Sequence, residues 1–192
     1  MPTAGWLYDL VMRPLGWLGL GRLRRRLVRD ARGTTLEIGA GTGLNLRDYD
    51  PRAFPLIALD VDRDALLRAR SRLPSAFLVQ ASVEALPFRG DSFDTVVSCL
   101  VFCSIPHPPA GFEEIRRVLN TRGELRMLEH VRPSGRFLGW LADRLTPIWR
   151  HLAAGCHLNR RTAEVLTSAG LCSEGSQAFL RGSVVALRAR RC

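Results

Sequence analysis

Thr34-Thr35-Leu36-Glu37-Ile38-Gly39-Ala40-Gly41-Thr42-Gly43 sets the architecture of this chain. A β-prone run stops abruptly at three glycines within five positions, and a brief helix over Leu44 to Tyr49 is expected to follow. Glycine lets the backbone turn sharply and lets a ligand approach it without side-chain collision. A helix start leaves N–H donors free beside such a turn. A dinucleotide-binding loop would want the pattern G-x-G-x-x-G/A, and the position that should be small is Leu44. The turn therefore suits a nucleoside-type ligand better than a pyrophosphate. Two acids agree. Glu37, two residues before Gly39, can attract an ammonium or sulfonium group and would repel phosphates. Asp60 ends a second strand twenty-one residues beyond Gly39, where an acid accepts hydrogen bonds from ribose hydroxyls. Asp62 and Asp64 read as caps of the helix after it.

Working outward, strands are expected at Leu56–Asp60, Ala76–Gln80, Phe93–Ser98 and Glu124–Glu129, the last entered through a turn at Asn120–Gly123. Helices are expected at Asp64–Arg72, Phe112–Leu119, Phe137–Leu152 (interrupted by Pro147) and Arg160–Ser168. Two further strands, Cys172–Leu180 and Ser183–Arg190, close the chain around a turn at Arg181-Gly182. Apolar strands alternating with helices indicate an α/β sheet buried on both faces. Residues 5–29 read as one or two amphipathic helices, with Trp6, Leu7, Leu10, Val11, Leu15, Trp17, Leu18 and Leu20 ahead of an arginine run.

The 192 residues fit one domain. The net charge is +10, and all 28 basic residues are arginine, a total absence of lysine that suits codon bias better than a binding site. A solvated basic surface is the plain reading. The sharper one is weak contact with an anionic surface through Arg22–Arg32. Five cysteines at scattered positions, with no CxxC and no zinc spacing, suit a reducing cytosol. No signal peptide and no apolar run long enough to span a membrane is visible, so a cytoplasmic location is expected.

In combination, Leu36–Gly43, Asp60, Leu86-Pro87-Phe88 with Ser92-Phe93-Asp94, and the turn Arg117–Gly123 resemble the class I methyltransferases over residues 34 to about 130. The resemblance implies a Rossmann-like sandwich: a mostly parallel seven-stranded sheet with an antiparallel last strand and helices on both faces. It implies S-adenosylmethionine as cofactor, leaving as S-adenosylhomocysteine, with no metal. Within one domain, residues 1–32 would form a lid on the substrate side, 33–131 the cofactor core, and 132–192 the acceptor-side helices and last two strands. Glu37, Gly39, Ala40, Gly41, Thr42, Gly43 and Asn45 would hold the methionine part of the cofactor. Asp60 would hold the ribose, Ser82, Val83 and Glu84 would flank the adenine, and Val61, Ser98 and Cys99 are further cofactor-binding candidates. Most relatives carry aspartate where Ser82 stands, which leaves the Val83 backbone and Glu84 as candidates for the adenine amino group. A narrower similarity, through Ser98–Ser104, Leu128-Glu129-His130-Val131 and Gly155–Arg160, is to the methyltransferase-like group that includes alkyl thiol S-methyltransferases. Ser82 is ordinary in that group.

A sulfonium methyl is already activated, so catalysis is mostly alignment. A thiol acceptor reacts as its thiolate. His130, ending the fifth strand, is the first candidate base, and His107, after the fourth, is the second. Either could instead be a hydrogen-bonded structural histidine. His151, His157, Trp140, Trp149 and Phe137 are candidates for an acceptor pocket or for simple core. Cys99 and Cys103 fall in an apolar stretch and read as packing beside the cofactor. The expected function is methyl transfer to a small molecule, a thiol or another lipophilic compound. The alternatives are an RNA or lipid methyltransferase docking by its basic run, and a non-catalytic cofactor-binding regulator.

Overall fold

The computed structural model describes residues 19–153 and 155–192. Most of the apolar N-terminal segment, from Trp6 to Leu18, lies outside the described residues, and so does much of the expected lid.

The element order is α1 (Gly21–Arg29), β1 (Thr35–Ile38), β2 (Leu56–Asp60), α2 (Arg63–Arg72), β3 (Phe77–Gln80), β4 (Phe93–Cys99), α3 (Pro108–Val118), β5 (Leu119–His130), α4 (Arg136–Leu152), α5 (Thr162–Ser168), β6 (Leu171–Phe179) and β7 (Val184–Arg191). The seven strands form one sheet in the order β3-β2-β1-β4-β5-β7-β6. The first five are mutually parallel, and β7 runs antiparallel to both β5 and β6. Strand order reverses between β1 and β4, so a crevice opens there at the carboxyl ends of the strands, where open α/β sheets bind ligands.

Alternation along the strands splits the core in two. Leu36, Ile38, Leu59, Val96, Leu125 and Met127 face α3 and α5, packing on Phe112, Ile115, Val118 and Leu166. On the other face Val97, Cys99, Leu128 and Val184 pack on Leu27 and Val28 of α1, while Leu56 and Ala58 pack on Ala69 of α2. Arg126 secures α1 from below. Its nearly buried guanidinium donates to the carbonyl of Leu27 at 2.7 Å, in the last turn of α1, and it pairs with Glu124 and Asp30.

Several boundaries differ from expectation, each for a local reason. The glycine turn leads only into a 3₁₀ turn at Leu46–Asp48, so the helix start expected beside it is missing. Asp62 caps α2 through N–H bonds from Asp64 and Ala65, while Asp64 sits in the first turn. The helix expected from Phe112 begins at Pro108, because proline is accommodated in a first turn. Asn120–Gly123 belongs to β5 as a bulge: Phe93 pairs with Leu119 and Thr95 with Glu124. Pro147 does not interrupt α4, which runs through it at an exposed position. Arg160 stays outside α5 because its carbonyl accepts the N–H of Arg132. Cys172 and Cys192 are bridged, contrary to the expectation of five reduced cysteines. The antiparallel β6–β7 register brings the last residue opposite the start of β6, with Cα atoms 5.1 Å apart. No helix among the described residues is long and apolar enough to cross a membrane.

Candidate cofactor and acceptor site

The glycine turn rises from the end of β1 into the crevice. Gly39, Gly41 and Gly43 all have positive φ. At Gly39 a Cβ would stand 2.4 Å from Val101 Cγ2, so the turn lies hard against the loop after β4. At Gly41, with φ +54°, a Cβ would meet nothing among the described residues within 4 Å, so this side of the turn has room beside it. Asp60 fixes that shape: its two oxygens accept the N–H groups of Gly41 at 2.7 Å and Asp62 at 2.9 Å. Each oxygen keeps a second lone pair for a hydroxyl. Val61, next in sequence, is a large apolar side chain left 64% exposed beside the same edge.

Beneath the turn is an unfinished polar cluster. Glu37 is fully buried and accepts 2.7 Å from Asn45 Nδ2. Among the described residues its other oxygen, the Asn45 carbonyl and the Tyr49 hydroxyl make no well-formed hydrogen bond, although Tyr49 lies close enough to Glu37 for the two groups to act on each other. Burial pushes the Glu37 carboxyl up to about 7, against the opposing effects of Asn45, Tyr49 and the Arg24 charge. The same burial raises Tyr49. Buried acceptors of this kind are normally hydrogen-bonded, so the cluster retains capacity to accept from a donor that reaches it.

The adenine-side residues are less open than expected. Val83 is buried in the core, Ser82 accepts the N–H of Glu84 at 3.2 Å, and Glu84 accepts the backbone N–H of His107. Glu84 therefore holds the entry to α3, and the exposed His107 is tied in through its backbone.

Ser98 and Cys99 lie below the crevice floor. Ser98 donates to Glu129 at 3.0 Å, and Cys99 receives Arg24 Nε at 3.4 Å. Glu129 was not singled out as a site residue, yet it shapes the loop after β4. Its carboxylate is fully buried and accepts from Ser98 Oγ and from the N–H groups of Val101, Phe102 and Cys103. Burial raises its pKa, and those donors oppose the shift. Leu100, at φ +60°, is the strained corner that this carboxylate holds in place.

One residue further along β5, His130 faces Cys156, with Nδ1 3.5 Å from its sulfur. Cys103 completes the group; the three donor atoms lie within 4.8 Å of one another. Cys103 and His130 were candidates from sequence for separate roles, and Cys156 for none. Spacings of 27 and 26 residues carry no local signal that would have joined them. The Cys103 thiol, His130 and the Trp149 indole draw the Cys156 thiol down against the effect of burial, while the Cys156 thiol and burial push Cys103 up. His157 Nδ1 lies 3.1 Å from the Cys103 carbonyl, and Arg160 donates 2.6 Å to the Phe102 carbonyl, stitching the Cys156 segment to the β4 loop.

Phe137, Trp140 and Trp149 are exposed rather than core, and His151 is exposed with them. An apolar cleft of about 210 Å³ runs between α4 and the loops around Val131, Leu158 and Leu180. Val131 and Leu158 directly follow His130 and His157 in sequence, so one end of the cleft belongs to the same loops as the cysteine–histidine group. In the basic run Arg22, Arg25, Arg26 and Arg29 are exposed, whereas Arg24 and Arg32 make internal hydrogen bonds.

Comparison with known proteins agrees with this geometry. A family model described as a methyltransferase domain matches residues 36–127. A thiol S-methyltransferase of Rattus norvegicus is 32% identical over 149 residues, which cover 70% of this chain and 60% of the relative's own length. A demethylmenaquinone methyltransferase of Renibacterium salmoninarum is 31% identical over 132 residues, covering 66% of this chain and 55% of the relative. Among solved structures, the YcgJ protein of Bacillus subtilis superposes with a TM-score of 0.72 at 15% identity, covering 90% of this chain and 97% of that one.

Proposed function

The chain belongs to the class I methyltransferase family, and on that premise we propose that it moves the methyl group of S-adenosylmethionine to a small lipophilic thiol. The observation that carries the cofactor reading is the unfinished cluster under the glycine turn. The second oxygen of Glu37 and the Asn45 carbonyl keep acceptor capacity among the described residues, and an ammonium supplies three donors. Space beside Gly41 and the lone pairs left on Asp60, which accepts the Gly41 N–H, support a ribose on that side of the turn, with Val61 next to it. These residues fit the cofactor, which when bound supplies a methyl group already activated on a sulfonium sulfur.

What the chain itself must do is hold the acceptor in line and present it as a thiolate. Glu129 fixes the loop that walls the site, and His130 stands at the carboxyl end of β5 beside an apolar cleft. Apolar walls with few polar groups suit a lipophilic acceptor. The thiol acceptor is favoured by the relatives that carry that name, and the cysteine–histidine group sits on the loops that form one end of the cleft.

The test is transfer of label from methyl-labelled cofactor to a panel of alkyl thiols, phenols, amines and quinones. Thiols are expected to lead by at least an order of magnitude in kcat/KM. Preferential labelling of a quinone or phenol would overturn the thiol assignment. No transfer to any acceptor despite tight cofactor binding would favour a regulatory, non-catalytic protein.

A further inference from the structure

Cys103, His130 and Cys156 come from three separate segments, meet beyond the carboxyl ends of β4 and β5, and are distinct from the residues assigned to the cofactor above. Two cysteine sulfurs and an imidazole are a donor set that zinc favours. Bonds of about 2.3 Å to sulfur and 2.0–2.1 Å to nitrogen put tetrahedral donors roughly 3.5–3.8 Å apart. Cys156 Sγ and His130 Nδ1 are already 3.5 Å apart, and the whole group fits within 4.8 Å. Small rotations of side chains would close it on an ion.

The surroundings hold these donors in place. The N–H of Cys103 is bound by Glu129, and its carbonyl receives the N–H of His157, the residue after Cys156. His130 follows Glu129 on the same strand. Outer hydrogen bonds of this kind orient metal ligands and are a regular part of metal sites. Burial alone would explain isolated core cysteines. It does not explain two cysteines from distant segments converging on one imidazole.

Three protein donors leave one position of a tetrahedral ion open, which distinguishes catalytic zinc from structural zinc. We propose that Cys103, His130 and Cys156 form a site for a zinc-class cation whose open position takes the acceptor thiol as its thiolate. The inference rests on the thiol reading above and refines it, because His130 then acts as a ligand and not as a base. A free thiol is mostly protonated near neutral pH, whereas a metal-coordinated one is deprotonated. The balance is simple. The acceptor R–SH loses its proton to solvent on binding. In the transfer its sulfur electron pair forms the new S–CH₃ bond while the bond from that carbon to the sulfonium sulfur breaks. The donor leaves as a neutral thioether, and no electrons are exchanged with the cation.

The experiment uses the full chain, stripped with a chelator and titrated with Co²⁺, then with competing Zn²⁺. One equivalent of cobalt should bind with thiolate charge-transfer absorption in the near ultraviolet. An alkanethiol should shift the visible cobalt bands, and the matching alcohol should leave them unchanged. Cys156→Ser and Cys103→Ser should each weaken cobalt binding at least tenfold. Binding of S-adenosylhomocysteine by each variant shows that it is folded, and His130→Ala serves if either serine variant fails that control. Absence of stoichiometric cobalt, cobalt binding indifferent to these substitutions, or cobalt bands indifferent to thiols would each overturn the proposal. Metal-free protein methylating thiols at the full rate would overturn it while leaving the proposed function standing. A thiol-responsive cobalt site in a protein that methylates no thiol would uphold the site and refute the proposed acceptor.

Discussion

Glu37 offers the sharpest handle on the cofactor. Its carboxyl lies at about 7 because burial disfavours the charge, against 4.5 for an ordinary glutamate. An ammonium docking on its free oxygen needs the carboxylate form, so binding must release the proton wherever the apo protein holds one. With a pKa near 7 the ionised fraction grows from roughly 3% at pH 5.5 to roughly half at pH 7, and affinity should rise about fifteenfold across that window. Glu37→Gln should abolish the slope. At pH 7 it should also weaken binding by the worth of a hydrogen bond to a charged group, about 1.5–3 kcal/mol. Folding stability should move the opposite way. A carboxyl whose folded pKa is raised contributes stability fully present below about 4.5 and lost as pH rises through about 7. The loss is roughly 3 kcal/mol across that span, and Glu37→Gln should flatten it. Calorimetric titration with S-adenosylhomocysteine, which keeps the ammonium but does not turn over, reads the affinity. Repeating it in two buffers of different ionisation enthalpy reads the released proton. Affinity flat between pH 5.5 and 7, or a slope that survives in Glu37→Gln, would refute the assignment of this cluster to the cofactor's ammonium.

Gly41→Ala should fold with a loss of about 1–2 kcal/mol for a side chain at positive φ, yet bind S-adenosylhomocysteine more than tenfold less tightly; unchanged affinity would mean that the open side of the turn faces no ligand. Glu129→Ala leaves Ser98 and three loop N–H groups without their acceptor, which at about 1 kcal/mol each should cost roughly 3–4 kcal/mol in urea unfolding. Reducing the Cys172–Cys192 bridge, which closes a separation of 20 residues, should lower stability by about 3 kcal/mol on the chain-entropy account, and alkylation of the denatured, unreduced protein should label three thiols.

The parallel half of the sheet was legible because each strand is an apolar run punctuated by glycine, proline or acid. The glycine turn and Asp60 were legible for the same reason: their chemistry depends on residues adjacent in the chain. Two kinds of feature were hidden. Partners fixed by register, such as Cys172 with Cys192, depend on how β6 and β7 align. Clusters assembled across the sheet, such as Cys103, His130 and Cys156, have no periodicity to read. Glu129 was hidden for another reason, since its value lies in the backbone N–H groups it gathers, and those carry no side-chain signature. Ser98 and Glu84, both expected at the cofactor, also carry structural bonds, to Glu129 and to the backbone N–H of His107. The contacts that shape a site and the contacts that touch a ligand fall on neighbouring residues, and sequence alone does not separate them.

The central claim is that one crevice, between the carboxyl ends of β1, β2, β4 and β5, holds both the methyl donor and its acceptor. A crystal structure of the complex with S-adenosylhomocysteine measures this directly. It should place the amino group at Glu37, the ribose at Asp60, and the sulfur facing an open space bordered by Cys103, His130 and Cys156. A ligand bound elsewhere, or a sulfur walled off from that space by Val101 and Leu44, would contradict it.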